Sequence, residues 1–304
     1  MSAQGRPKGE LLPLGETARS AKGAPTSGDV TIRGALAQFG LVPLDAQVLL
    51  AHLLGKDRAW LVAHGDDALS RERVDAFLVL ARRRRDGEPV AYLTGTREFW
   101  GLALQVSPAV LIPRPETETL VELALARLPK DRDVRVLDLG TGSGAIALAI
   151  AHERPRAMIL ATDVSADALE VARENARRLG IGNVEFAPSD WYDGVAAAWQ
   201  GGAFDLIASN PPYVAAGDPH LGEGDVRFEP ARALTPGGDG TAAIMRIVAG
   251  ARERLAPGGS LVVEHGFDQA DVVRALFAAA GFAAIVAVRD LAGIPRVVAG
   301  QPVT

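Results

Sequence analysis

Beyond the first 29 residues the apolar positions follow two regimes. From about Val30 to Thr94 they recur three and four residues apart. Leu49, Leu50, Leu53 and Leu54 share one face, and Val74, Phe77, Leu78 and Ala81 share another. That spacing predicts amphipathic helices. Asp57 and Ser70 stand where N-caps belong. No strand pattern interrupts, so residues 30–96 read as a small all-helical domain. From Val134 onward, short apolar runs alternate with helical patterns. Strands are predicted at Val134–Leu139, Ala157–Thr162, Val184–Ala187, Phe204–Ser209 and Leu261–Val263. Helices are predicted at Ser143–Ala151, Ala166–Leu179 with Ser165 as its cap, and Gln269–Ala280. Pro257-Gly258-Gly259 reads as a turn before the fifth strand. Such alternation predicts an α/β fold, a doubly wound parallel sheet covered on both faces. The last two apolar runs, near Ile285 and Val297, have no helix between them and predict an antiparallel edge.

Between the two regimes, Glu98–Val106 and Ala109–Ile112 predict two short strands around Ser107-Pro108, a β-hairpin connector over residues 97–115. Pro113, Arg114 and Pro115 then stiffen the chain before a helix near Glu116. Glu116 and Glu118 suit the positive end of that helix. Arg114, held between two prolines at a domain junction, is placed to anchor a partner or close over a site. Residues 116–304 form the sheet domain. Residues 1–29 carry Gly, Pro, Ser and mixed charge without a period and are expected to be a disordered extension.

Composition narrows the function classes. The chain has no cysteine, which excludes disulfides, thiolate metal sites and cysteine nucleophiles. Its five histidines are scattered, and no metal is expected. A net charge of -5 argues against a protein that lives on duplex nucleic acid. No apolar run reaches membrane-spanning length and no signal core is seen, so a cytoplasmic protein without a membrane partner is expected. The run Arg82-Arg83-Arg84-Arg85 reads either as solvated cations favouring a helix C-terminus or as a docking patch for an acidic partner.

The chemistry is carried by loops at strand ends. The first strand runs into VLDLGTGSG, with Gly140, Gly142 and Gly144 at alternate positions around Thr141 and Ser143. Such a loop turns tightly and lets a ligand approach the backbone. Its spacing is G-x-G-x-G, not the G-x-G-x-x-G of dinucleotide binders. Asp163 ends the second strand, where a carboxylate accepts from ribose hydroxyls. Capping the next helix is the plainer role for it, but Ser165 already serves that. Asp190 is placed to accept from an adenine amino group, and Trp191 to pack on the ring. The fourth strand runs into Asn210-Pro211-Pro212-Tyr213. The prolines stiffen this corner and remove backbone donors. An Asn oxygen beside a bare carbonyl makes a receptor for an –NH2 group, closed by the Tyr213 ring. A nicotinamide cofactor leaves that corner without a task. The methyl group of S-adenosylmethionine would project past the ends of the first and fourth strands, near Asn210.

VLDLGTGSG, ATD and SNPPY, in this order, resemble the class I S-adenosylmethionine-dependent methyltransferases of planar amino groups. GEPVAYLTGTREFWG, LIPRPETE, SDW, GDVRFEP, EHG and RDLAG extend the match, and the chain is similar to the HemK/PrmC-type protein-(glutamine-N5) methyltransferases. The resemblance implies a seven-stranded class I methyltransferase sheet behind a small N-terminal helical domain and a β-hairpin connector. It implies S-adenosylmethionine as cofactor, contacted by Gly140, Thr141, Gly142, Ser143, Gly144, Asp163, Trp191 and Asn210. It also implies a substrate, the glutamine of the Gly-Gly-Gln motif of peptide chain release factors. Asn210, Pro211, Pro212 and Tyr213 would hold that glutamine, with Asn210, Pro211 and Tyr213 carrying catalysis and the helical domain gripping the release factor. The Asn-Pro-Pro-Tyr corner alone is shared with adenine amino-methyltransferases of nucleic acids, which form the alternative. The acidic balance and the lack of an added recognition domain speak against it.

Overall fold

Local caps and stripes account for the first part of the chain. The computed structural model describes residues 30–38 and 40–303; the disordered extension expected over residues 1–29 lies outside them. Helices α1 (Ile32–Gln38), α2 (Pro43–Leu54), α3 (Arg58–Ala63), α4 (Arg71–Arg85) and α5 (Val90–Thr94) come first. Their apolar stripes meet in a small core of Ile32, Leu49, Leu50, Leu61 and Phe77. Both expected caps are present: Asp57 accepts from the Trp60 N–H at 2.7 Å and Ser70 from the Arg73 N–H at 3.4 Å.

A hairpin of β1 (Thr96–Phe99) and β2 (Leu102–Gln105) follows. It turns at Trp100-Gly101, not at Ser107-Pro108, and Ala109–Ile112 is not a strand. Trp100 and Gly101 are both left-handed, with φ of 55° and 72°, the two-residue turn whose twist suits a hairpin. Tryptophan is held in that conformation by remote partners. Its N–H donates to Glu118 at 2.9 Å and its indole N–H to Glu153 at 3.2 Å.

The remaining elements are α6 (Glu118–Arg127), β3 (Val134–Leu139), α7 (Ala145–Glu153), β4 (Ala157–Asp163), α8 (Ala166–Leu179), β5 (Val184–Pro188), α9 (Val195–Ala198), β6 (Phe204–Ser209), α10 (Ala231–Leu234), α11 (Ala242–Ala251), β7 (Leu255–Glu264), α12 (Ala270–Ala279), β8 (Phe282–Arg289) and β9 (Pro295–Pro302). Seven strands form one sheet in the order β5-β4-β3-β6-β7-β9-β8. Successive strand residues serve opposite faces. Val136 joins Ile146, Ile150, Ile159 and Leu206 on one side, and Leu137 joins Leu160, Ile207, Ile247 and Phe277 on the other.

One strand expectation is met and another changes. The last two strands pair antiparallel at the edge of the sheet, as expected, with β9 inserted between β7 and β8. The turn that allows this is gathered by Asp290, whose carboxylate accepts from Ala292 N, Ile294 N and Arg296 Nε. Strand β7 starts at Leu255 and passes through Pro257-Gly258-Gly259 instead of beginning after it, with a register shift against β6. Gly259 lies so close to β6 that an added Cβ would sit 2.9 Å from the Phe204 carbonyl oxygen.

The site is positioned by β3 and β6. They pair in parallel with Leu139 opposite Ser209, and the Ser209 hydroxyl donates to the Leu139 carbonyl at 2.7 Å. Strand order reverses here, so the loops after β3 and β6 leave the sheet side by side. The helical region is tied to the chain beyond β6. Arg84 pairs with Asp45 and with Asp225, each at 2.7 Å, and the Arg227 guanidinium donates to the Asp86 carbonyl. Arg84 is therefore neither solvated nor free to dock an outside partner, while Arg82 and Arg85 are exposed. Among the described residues, no helix is long and apolar enough to cross a membrane.

Candidate active site

The loop after β3 is built on left-handed glycines: Gly140, Gly142 and Gly144 have φ of 72°, 56° and 85°. The Gly140 and Thr141 N–H groups donate to the Thr162 carbonyl at 2.9 and 2.8 Å, which ties the loop to β4. Asp163 braces the loop from the other side. It accepts from the Gly142 N–H at 2.9 Å and from the Ser165 N–H at 2.8 Å. An ionised carboxylate offers about four lone-pair sites, so Asp163 keeps capacity for two ribose hydroxyls. Trp191 lies against Gly140 and is itself left-handed, with φ of 53°. A bulky residue in that region stores strain, as residues at ligand sites often do.

A cavity opens over this loop. Gly140, Thr141, Gly142, Ser143, Asp163, Trp191 and Asn210 all line it. Gly144 does not: an added Cβ there would meet Leu148 at 3.0 Å and Ala172 at 3.3 Å, so this glycine serves helix packing. Asp190 lines the cavity, but both its oxygens already accept from Arg246, at 3.1 and 3.2 Å. The carboxylate expected to read an adenine amino group is thus held by an arginine 56 residues away.

A second cavity lies on the other side of Asn210, lined by Pro211, Tyr213, Val214, Leu221 and Val226 among others. It shares Leu111, Arg114, Asn210 and Ala233 with the first, whereas Pro212 faces the first alone. Asn210 therefore stands where the two meet. Its Nδ2 donates to Thr117 Oγ1 at 3.1 Å. Among the described residues no donor reaches its Oδ1. The corner is backed closely. Gln269 donates to the Tyr213 carbonyl at 3.0 Å, and Gly240, with φ of 87°, passes so near that a Cβ would lie 2.2 Å from that oxygen.

Arg114 is not a free cation. Its guanidinium pairs with Glu229, whose side chain is wholly buried and also accepts from the Ile112 N–H at 3.0 Å. A buried carboxylate needs such partners. The pair clamps the Pro-Arg-Pro segment against the 224–230 loop, and Arg114 lines both cavities from within that clamp.

Two further acids lie beneath the site. Burial pushes the carboxyls of Asp138 and Glu264 up to about 7 each. Asp138 accepts from the Thr141 hydroxyl at 2.6 Å, while its Oδ1 has no partner among the described residues. Glu264 accepts from the Tyr213 hydroxyl at 3.4 Å. Burial, then the Glu264 charge, raises the Tyr213 phenol far above its ordinary value, so it acts as a neutral donor. Asp138, Thr117, Glu229 and Glu264 had no assigned role in the sequence reading. Asp138 and Glu264 each leave a signal there: an acid inside or at the end of an apolar strand run, which is costly to bury unless it is hydrogen-bonded.

Comparison with known proteins agrees with this geometry. Residues 32–95 match the PrmC N-terminal domain family, and residues 117–240 match the methyltransferase small domain family. The release factor glutamine methyltransferase of Xylella fastidiosa (strain 9a5c) is 53% identical over 258 residues, covering 85% of this chain and 92% of its own. The chain belongs to the release factor glutamine methyltransferases. The family member from Escherichia coli (strain K12) is 49% identical over 257 residues, covering 84% of this chain and 91% of its own. The fold extends further: the hMettl16 catalytic domain superposes with a TM-score of 0.54 at 14% identity, covering 79% of this chain and 86% of that one.

A methyltransferase of this family uses S-adenosylmethionine, and the first cavity fits it: a loop whose Gly140 and Gly142 leave the backbone open to a ligand, and a carboxylate with spare acceptor capacity. Removing that carboxylate in Asp163→Ala should weaken S-adenosylmethionine binding by about ten- to a hundredfold, the scale of a hydrogen bond to a charged group. Titration calorimetry checks this, and unchanged affinity would remove Asp163 from the cofactor site.

Burial of Glu264 also predicts a pH dependence of stability. Its pKa rises from 4.5 to about 7 on folding, so the folded chain holds a proton that the unfolded chain has released. Stability from this group is complete below 4.5 and is lost as pH rises through about 7. The fall in Tm between about pH 5.5 and pH 8 should be larger for wild type than for Glu264→Gln. Equal falls would show that Glu264 does not titrate there.

Proposed function

We propose that this enzyme transfers a methyl group from S-adenosylmethionine to the side-chain amide nitrogen of the glutamine in the Gly-Gly-Gln motif of peptide chain release factors. The observation that carries the reading is Asn210, which joins a glycine-cradled cavity to an acceptor cavity and whose Oδ1 has no partner among the described residues. Curated relatives at about half identity bear this activity in their name.

S-adenosylmethionine, when bound, supplies an electrophilic methyl group. The difficulty lies with the acceptor, because a carboxamide nitrogen has its lone pair delocalised into the carbonyl. Asn210 Oδ1 and the Pro211 carbonyl accept its two N–H bonds. This fixes the direction in which the nitrogen faces and favours positive charge as it grows there. Neutral Tyr213 packs against the amide plane. Positioning and fixed dipoles of this kind supply up to roughly 7 and 3 kcal/mol respectively in favourable sites. No strong base is required, since the alkylated amide nitrogen becomes acidic and releases its proton to water. Arg114, clamped by Glu229, walls the acceptor cavity. The helices between residues 32 and 94 grip the release factor, whose company places the reaction in the cytoplasm. Adenine methylation is not favoured: the relatives act on glutamine, and the chain is acidic.

The reading is tested with labelled S-adenosylmethionine and purified release factor. Label should appear on the wild-type factor and vanish when the Gly-Gly-Gln glutamine is replaced. Label that persists after the replacement, or that goes to DNA instead, overturns the assignment.

A further inference from the structure

Neither GEPVAYLTGTREFWG nor GDVRFEP supplies the loop that cradles the cofactor or the corner that takes the amide, yet the two segments interlock. Gly87 has φ of 97°, a conformation that favours glycine. A Cβ there would collide with the Arg227 guanidinium, which donates to the Asp86 carbonyl. Beside this contact, Arg84 reaches three acceptors. Its Nε donates to Asp45 at 2.7 Å, and its Nη1 donates to Asp225 at 2.7 Å and to the Glu88 carbonyl at 3.1 Å. One arginine thus joins α2, the turn between α4 and α5, and the loop after β6.

What these contacts hold is a wall of the second cavity. Residues 225–229 belong to no strand. They make a single 3-10 turn, Val226–Phe228, in which the Phe228 N–H donates to the Asp225 carbonyl at 3.1 Å and the Glu229 N–H to the Val226 carbonyl at 3.0 Å. One turn has little stability of its own, so the ties at its ends decide where it stands. Glu229 is fixed to Arg114 and to the Ile112 N–H. Asp225 and Arg227 are fixed to the helical region. Val226, between these anchors, lines the second cavity beside Pro211, Val214 and Leu221. We infer that Arg84 and Arg227 are positioning residues: they fasten the helical region to the 225–229 turn and thereby set the wall that Val226 presents to the acceptor glutamine. The inference rests on the reading of the second cavity as the acceptor site.

The helices then have two tasks, and kinetics separates them. A grip on the release factor acts through its affinity and shows in KM. A wall acts on the glutamine itself and shows in kcat, because a misplaced wall lets the amide sit away from the line of methyl transfer. It also acts on any substrate that carries the glutamine. A short peptide holding Gly-Gly-Gln enters the cavity and is too small for the grip. Ion pairs with part-exposed partners contribute little to global stability, so the loss of this one should move the wall without unfolding the chain.

The test compares wild type with Arg84→Met, Asp225→Asn, the double variant and Arg227→Met. It measures kcat and KM for release factor at saturating S-adenosylmethionine, kcat/KM for a short Gly-Gly-Gln peptide, cofactor affinity and Tm. In each single variant kcat should fall about tenfold, part of the roughly hundredfold that a displacement of about 1 Å costs. The peptide kcat/KM should fall by the same factor, while KM for release factor, cofactor affinity and Tm stay near wild type. The double variant should be no worse than Arg84→Met, because both changes cut one tie. A raised KM with unchanged kcat, or a peptide rate that the variants leave alone, shows a grip and overturns the inference. Losses that multiply in the double variant overturn the pairing of Arg84 with Asp225 as the cause. Should Arg84→Met melt far below wild type, Asp225→Asn decides by the same readings. Where the wild type leaves the peptide unlabelled, the split between kcat and KM on release factor decides. Failure of the wild type to label the release-factor glutamine overturns the acceptor reading and the inference with it; an active wild type with indifferent variants overturns the inference alone.

Discussion

The pairing of Leu139 with Ser209 is the constraint on which the site depends. These are the last residues of two adjacent parallel strands, and the Ser209 hydroxyl pins the Leu139 carbonyl at 2.7 Å. A shift of one residue in that register would send every side chain of β6 to the other face of the sheet. It would also carry Asn210 away from the glycine loop. With the register held, two loops of different chemistry leave the sheet together: one rich in glycine and suited to a nucleoside, the other rigid and rich in acceptors.

Around that junction the protein buries charge and surrounds it with partners. Glu229 is paired with Arg114, Asp290 with Arg296, and Glu264 accepts from the Tyr213 hydroxyl. Breaking such a pair is costlier than its presence is stabilising, so these groups act chiefly to hold segments in place. Glu229 and Asp225 sit in one loop, the first tied to the Pro-Arg-Pro segment and the second to Arg84 of the helical region. Val226, between them, lines the second cavity. The wall of that cavity is thus braced on both the connector and the helices.

What could be read in the sequence was what local pattern determines. Helix α8 begins after Ser165, whose hydroxyl accepts from the Ala168 N–H at 3.3 Å, and β3 and β6 fall where their apolar runs lie. The glycine loop and the Asn-Pro-Pro corner were legible because their chemistry is carried by consecutive residues. What escaped was decided by partners distant in sequence. Trp100 takes a turn that favours glycine or asparagine because Glu118 and Glu153 hold it. Strand β9 is drawn between β7 and β8 by pairings that no local signal announces. Asp190 is claimed by Arg246, Arg114 by Glu229 115 residues on, and Asn210 by Thr117 93 residues back. Each of these pairs joins residues that become neighbours only once the sheet has formed.

In the proposed reaction, Asn210 receives the acceptor amide. Single-turnover methyl transfer by Asn210→Ala, with S-adenosylmethionine and release factor both saturating, tests that task most directly. Loss of a preorganised acceptor should lower the rate by roughly a hundred- to a thousandfold while the circular-dichroism spectrum and Tm stay close to wild type. A rate within a few-fold of wild type in a folded Asn210→Ala enzyme would contradict the account.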